Sequence, residues 1–132
     1  MNMAGSELAE PTGDLSVTLP VIRLTDALNA GNLEAVMSLW TEDCTFENTY
    51  PPPDGMRYQG KPAVQAFWEE FFRTSSQAKF EIEEIFALND RCIMRWTYHW
   101  LDGQGTQGHI RGVDVYRVRD GIILEKLSYV KG

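Results

Sequence analysis

Asp114 stands inside Gly112-Val113-Asp114-Val115-Tyr116-Arg117-Val118, a run that otherwise reads as the interior of a β-strand. Strand side chains alternate faces, so Asp114 shares a face with Gly112, Tyr116 and Val118. If that face is covered, an ionised carboxylate there costs several kcal/mol unless a cation pairs with it or it takes up a proton. Such a carboxyl group is a ready proton donor or acceptor, which makes Asp114 a candidate catalytic residue. A surface strand can also carry an Asp opposite a cation, and Arg95, Arg111 and Lys126 are the available partners.

Other side chains would complete an acid–base site if the fold brings them in. His99 offers an imidazole that titrates near neutrality, suited to general base or acid duty beside Asp114. It also fits a hydrogen-bonded strand histidine next to the Asp102-Gly103 turn, and His109 lies on the facing strand. Two histidines without a matched carboxylate spacing predict no metal site. Asn48 and Tyr50, two apart in an extended segment, point the same way and would hold a substrate oxygen; Tyr50 would otherwise close the core beneath Pro51-Pro52-Pro53. Arg95 would bind an anionic substrate or neutralise Asp114. Trp40, Phe67 and Trp68 would furnish pocket walls. No nucleotide, flavin or metal motif is present, so no cofactor is expected.

The elements that must position these groups follow from periodicity. Residues 1–16 are polar and small and read as a flexible tail, leaving 17–132 as one domain. Pro20 suits a first helical turn, Val21, Leu24 and Leu28 recur at helical spacing, and Gly31 ends the run. Asn32 caps a second helix whose stripe is Leu33, Val36, Met37 and Trp40. An extended piece over 45–50 precedes the proline loop. A third helix opens near Pro62, with Val64, Phe67, Trp68, Phe71 and Phe72 on one side. The period then changes to two, with strands over 79–88, 91–101, 107–119 and 122–130 and turns at Asn89-Asp90, Asp102-Gly103 and Asp120-Gly121. Three helices followed by a meander make an α+β pattern.

Composition narrows the function classes. The chain has 132 residues, 43% of them hydrophobic, and a net charge of −7. With no basic stripe, nucleic acid and anionic membranes are not expected partners. Cys44 and Cys92 sit in no metal or redox spacing and are compatible with a disulfide or two buried thiols. No secretory signal or membrane-length apolar run is visible, so a cytoplasmic location is expected.

Strand 91–101 sorts its side chains unusually. Met94, Trp96, Tyr98 and Trp100 share one face; Ile93, Arg95, Thr97 and His99 share the other. Either the aromatic face covers the helices, or it buries against a second subunit while Arg95, Thr97 and His99 line a cavity.

Ala27-Leu28-Asn29-Ala30-Gly31-Asn32-Leu33-Glu34, Leu39-Trp40-Thr41-Glu42-Asp43-Cys44-Thr45-Phe46, Tyr58-Gln59-Gly60-Lys61-Pro62-Ala63-Val64 and Arg117-Val118-Arg119-Asp120-Gly121-Ile122-Ile123 follow one another in a familiar order. In these segments the chain resembles the nuclear transport factor two-like superfamily, which includes ketosteroid isomerase, SnoaL-like polyketide cyclases and limonene epoxide hydrolase. The resemblance implies a cone in which three helices are wrapped by a strongly curved, mainly antiparallel sheet around an apolar pocket. It implies that Arg95, Thr97, His99, Asp114, Tyr116 and Ser128 face the pocket. Met94, Trp96, Tyr98 and Trp100 would then make a homodimer through the convex face.

Residue by residue the carry-over is partial. Asp114 falls where ketosteroid isomerase keeps a protonated aspartic acid that donates a hydrogen bond to the enolate. The isomerase's catalytic base falls at Asn48 and its oxyanion-hole tyrosine at Leu24, so steroid isomerisation by that route is not expected. Asn48 matches the water-holding asparagine of limonene epoxide hydrolase, but that enzyme's Asp-Arg-Asp set would fall at His99, Thr97 and Ser128. Two functions from different classes follow. One is a cofactor-independent acid–base enzyme (isomerase, dehydratase, cyclase or hydrolase) acting on a small apolar oxygenated molecule. The other is a noncatalytic dimeric ligand-binding or association module.

Overall fold

The structure, a computed structural model, describes residues 10–75 and 77–132. Helix α1 spans Leu15–Ala30, opened by Asp14, whose carboxylate accepts from the Ser16 N–H at 2.9 Å. It closes at Gly31, which takes the left-handed conformation that a glycine adopts freely. Helix α2 is short, Leu33–Met37, and is capped by Asn32, whose side chain accepts from the Ala35 N–H at 3.0 Å. Strand β1 (Trp40–Glu47) and the three-residue β2 (Arg57–Gln59) precede helix α3, Lys61–Thr74, which has Pro62 in its first turn. Strands β3 (Lys79–Leu88), β4 (Arg91–Leu101), β5 (Gln107–Arg119) and β6 (Ile122–Val130) then run as antiparallel hairpins.

Among the described residues six strands form one sheet in the order β2-β1-β6-β5-β4-β3. Strands β1 and β6 pair in parallel, so the curved sheet is mixed. Helix α1 packs on β3 to β6 and α3 on β1 and β2, giving one helix-covered face. The core between them includes Val21, Leu24, Val36, Trp40, Phe46, Val64, Ile85, Met94 and Ile123. Asn29, near the end of α1, clamps the start of β3 by a reciprocal pair: its Nδ2 donates to the Phe80 carbonyl at 2.8 Å and its Oδ1 accepts from the Phe80 N–H at 2.7 Å.

Several expectations need correction. The helix read as opening at Pro20 begins at Leu15, because Asp14 supplies the cap and Val17 and Thr18 already face the core. Of the segment read as a flexible tail, 1–9 lies outside the described residues, whereas Thr12 pairs with the edge of β3 through the Ala87 N–H, 2.9 Å from its carbonyl. Trp40 belongs to β1 and not to the second helix. Among the described residues no helix is long and apolar enough to cross a membrane. Both cysteines are buried free thiols.

Candidate functional site

Asp114 lies mid-strand in β5, opposite Met94 of β4 and Ser128 of β6. Residues directly opposite in antiparallel strands share a face, so Asp114 is on the helix-covered side with Met94, and it is only 3% exposed. Its Oδ2 accepts from the Tyr116 hydroxyl at 3.1 Å and lies 3.3 Å from the Lys126 ammonium. Its Oδ1 is buried and has no hydrogen-bond partner among the described residues. The Lys126 Nζ donates to Ser128 Oγ at 2.9 Å and sits 4.5 Å from the ring centre of Phe46 and 5.6 Å from that of Trp68. A buried carboxylate and ammonium thus share one apolar enclosure.

A bulge puts the lysine there. Arg117 opposes Glu125 while Val118 opposes Ile123, leaving Leu124 unmatched in β6. That extra residue turns Lys126 and Ser128 to the inner face; an unbroken ladder from the Asp120-Gly121 turn would have turned them out.

A pocket of about 110 Å³ opens beside the pair. Its polar lining is Asn48, Thr49, Asp114, Lys126 and Ser128; its apolar wall is largely aromatic. Phe46 stacks on Trp68 at 5.3 Å, and Phe67 meets Phe46 edge-on at 5.1 Å. Trp96 makes another part of the wall, reaching across the sheet over Gly112, where any Cβ would strike its ring. A few convergent polar groups in an aromatic pocket are the usual anatomy of a small-molecule site.

The surroundings fix protonation states. Burial, then the Asp114 charge, pushes Tyr116 well above the ordinary phenol range, so Tyr116 stays a hydrogen-bond donor. Burial and the same carboxylate push Cys92 up to about 12, which leaves its thiol unreactive.

Of the residues picked from sequence, Asp114, Asn48, Phe67, Trp68 and Ser128 line the pocket together. Tyr116 lies beneath, holding Asp114, and Trp40 is core behind Phe46. The others are corrections. His99 is on the opposite face, half exposed and 3.0 Å from Glu81, so it cannot exchange a proton with Asp114. Arg95 is on that outer face too, pairing with Glu83 and Glu84 at 2.9 Å each, and Thr97 donates to Glu83. Tyr50 is 73% exposed and neither lines the pocket nor closes the core. Met94 and Trp96, assigned to a dimer face, are buried in the core of the chain itself, with Tyr98 packed against them; Trp100 shares their face. Lys126 entered the sequence reading only as a partner for Asp114, since nothing in Ile122-Ile123-Leu124-Glu125-Lys126-Leu127 announces the bulge.

The sequence model of the SnoaL-like domain matches residues 21–126. The chain belongs to the SnoaL-like domain family. This SnoaL-like protein is 34% identical to a nuclear transport factor two-like protein of unknown function from Mesorhizobium loti, with 95% of this chain and 98% of that one covered and a TM-score of 0.75. A Mycobacterium tuberculosis protein in complex with estradiol-17beta-hemisuccinate shares the fold at 23% identity, with coverage of 86% and 92% and a TM-score of 0.74. So does a putative polyketide cyclase from Xanthomonas campestris, at 21% identity, coverage of 88% and 90% and a TM-score of 0.68. No curated protein matches the sequence significantly.

Proposed function

We propose that this SnoaL-like protein is a cofactor-independent acid–base enzyme acting on a small, largely apolar oxygenated molecule, of the isomerase, dehydratase, cyclase or hydrolase type. One observation carries the reading: Asp114 Oδ1 is buried beside an aromatic pocket without a partner among the described residues, while Oδ2 is held by Tyr116 and Lys126. Buried polar atoms are normally satisfied, and an orphan beside a pocket suits a ligand that brings the missing donor. Asp114 takes a proton from the substrate at Oδ1 and returns it at the same position. Lys126, held at 3.3 Å from the carboxylate, stabilises negative charge developing on a substrate oxygen, in surroundings that strengthen such an interaction. Asn48 and Ser128 supply the remaining polar contacts. That a structural neighbour is in complex with estradiol-17beta-hemisuccinate supports small-molecule binding by this fold.

The test is a screen of small ketones, enones, epoxides and hydroxy-ketones for turnover and for proton exchange in deuterated buffer, followed by Asp114→Asn. The variant should lose turnover by about a hundredfold or more, the range of general acid–base catalysis, yet still bind. An Asn variant that keeps full turnover of every compound found would leave the noncatalytic binding module as the better reading. The neutral pairing of Asp114 with Lys126 is the observation in favour of that alternative.

A homodimer would form through residues other than the Met94, Trp96, Tyr98 and Trp100 stripe. Phe86, Ile93, Val115 and Leu127 lie opposite one another in a row crossing four strands on the outer face, all partly exposed. Ion pairs flank the row, Arg91–Glu125 on one side and Arg95–Glu83 on the other. An apolar strip with a charged rim is the anatomy of an interface, and a second copy of the chain is its occupant.

A further inference from the structure

Lys126 has a chemical capacity that charge stabilisation does not use. We propose that its amine condenses with the carbonyl of a small aldehyde or ketone to form an imine, Asp114 carrying the protons. The inference rests on the pocket being a ligand site, as above, and specifies what that site takes. The Lys126 side chain is only 8% exposed, whereas that of Lys61 is 27% exposed and Lys79 and Lys131 are exposed residues. It lines the pocket with Asp114 and Ser128, its nitrogen 3.3 Å from a carboxylate and 2.9 Å from a hydroxyl. An amine facing an apolar pocket, with a base beside it to take its proton as the carbonyl arrives, has the geometry of a covalent nucleophile.

The protons and electrons balance without an added reagent. The Lys126 ammonium gives a proton to Asp114, and the freed nitrogen pair attacks the carbonyl carbon. The carbonyl oxygen takes that proton from Asp114, and Asp114 then draws one from the nitrogen, which leaves a neutral carbinolamine beside a protonated Asp114. The nitrogen pair then expels the hydroxyl, which leaves as water on receiving that proton from Asp114. Net, an ammonium and a carbonyl become an iminium and water, and Asp114 ends as it began.

Charge selects the carbonyl class. An iminium keeps its positive charge opposite Asp114, whereas acylation by an ester would neutralise Lys126 and leave a carboxylate buried and unpaired, which is strongly unfavourable. Size sets a further limit. The 110 Å³ pocket is smaller than the roughly 150 Å³ that holds a benzene ring, so it takes a short carbonyl compound or the carbonyl end of a longer one. A groove of about 630 Å³ shares Tyr98 and Ile110 with the pocket and would receive the rest.

The experiment is reductive trapping of the full chain with isobutyraldehyde and sodium cyanoborohydride, read by peptide mass mapping. Lys61, Lys79 and Lys131 serve as internal standards in the same tube. Lys126 should gain the isobutyl group at least about tenfold faster than any of them, and the preference should vanish in denaturing urea. Lys126→Arg, which keeps the cation, should show labelling only at the standards. Asp114→Asn should abolish the preference if it folds; if it does not, the wild-type ratio decides alone. Labelling of Lys126 no faster than the surface lysines, or a preference that survives urea, overturns the proposal. Isobutanol, which cannot condense, separates the two readings. If it shifts the melting temperature or the pocket's NMR signals while Lys126 stays unlabelled, imine formation is rejected and the ligand pocket stands; with neither response, both fall.

Discussion

Asp114 and Lys126 are each tolerable only in the other's presence. Replacing Lys126 by Met leaves a carboxylate 4% exposed with no cation, and removal of one partner of such a pair costs about 3–5 kcal/mol. Denaturant unfolding should therefore show Lys126→Met as strongly destabilised, with Asp114→Asn added to it recovering part of the loss. Recovery of nothing would mean that the two are not coupled. At this scale the sequence singled out Asp114 because a lone carboxylate among alternating apolar residues is conspicuous, and the structure buries it beside the pocket. It also contained the means to reject His99. Leu101 faces Gln107 across the hairpin, so Asp114 must face Met94, which puts the even-numbered residues of β4 on its side and His99 on the other. The superfamily resemblance pulled Arg95, Thr97 and His99 inward against that simple count.

Bulges carry what the sequence concealed among the elements. The four long strands could be read residue for residue because alternation and turn residues agree; the three-residue β2 is too short to show any period. Neither Leu124 in β6 nor Glu83 in β3, each the odd residue in its ladder, has a local signature. The second bulge lets Glu83 and Glu84 both reach Arg95, and Glu83 also accepts from Thr97 and pairs with Arg111 at 3.2 Å. The Thr97 hydroxyl and then Arg111 hold the Glu83 carboxyl below its ordinary range. A carboxyl group lowered on folding stabilises the fold above its unfolded pKa, and that contribution is lost as pH falls through the folded value. Glu83→Gln should thus lower stability at neutral pH by roughly 0.5–1 kcal/mol, the difference fading on acidification, as thermal melts across the acid range would reveal. Gly112 makes the complementary case in β5. A Cβ there meets both the Trp96 ring and the Tyr129 carbonyl, so Gly112→Ala should cost about 1–3 kcal/mol and displace a wall of the pocket. Urea unfolding and the Trp96 indole NMR signal would register the two effects.

For the molecule as a whole, the α+β class followed from the order of helical and alternating stretches and the cone from the family resemblance, while the make-up of the outer face followed from neither. The resemblance put the aromatic stripe of β4 on the outer face, against the ordinary arrangement that the structure shows; the strip that is open, Phe86 to Leu127, is modest in any one strand and emerges only when four strands are laid side by side. Sedimentation should give twice the chain mass, and Leu127→Glu should give the single chain without unfolding it. A monomeric wild type would remove the dimer. The order of strands leaves β3 at one border of the sheet, and Thr12 occupies part of that border through backbone hydrogen bonds with Ile85 and Ala87. An unfilled border of this sort is a template on which further chains can add strand by strand. Thr12 therefore acts as a stopper against fibre growth. A chain lacking residues 1–13 should fold and then cloud on standing, gaining thioflavin fluorescence that the full chain does not develop.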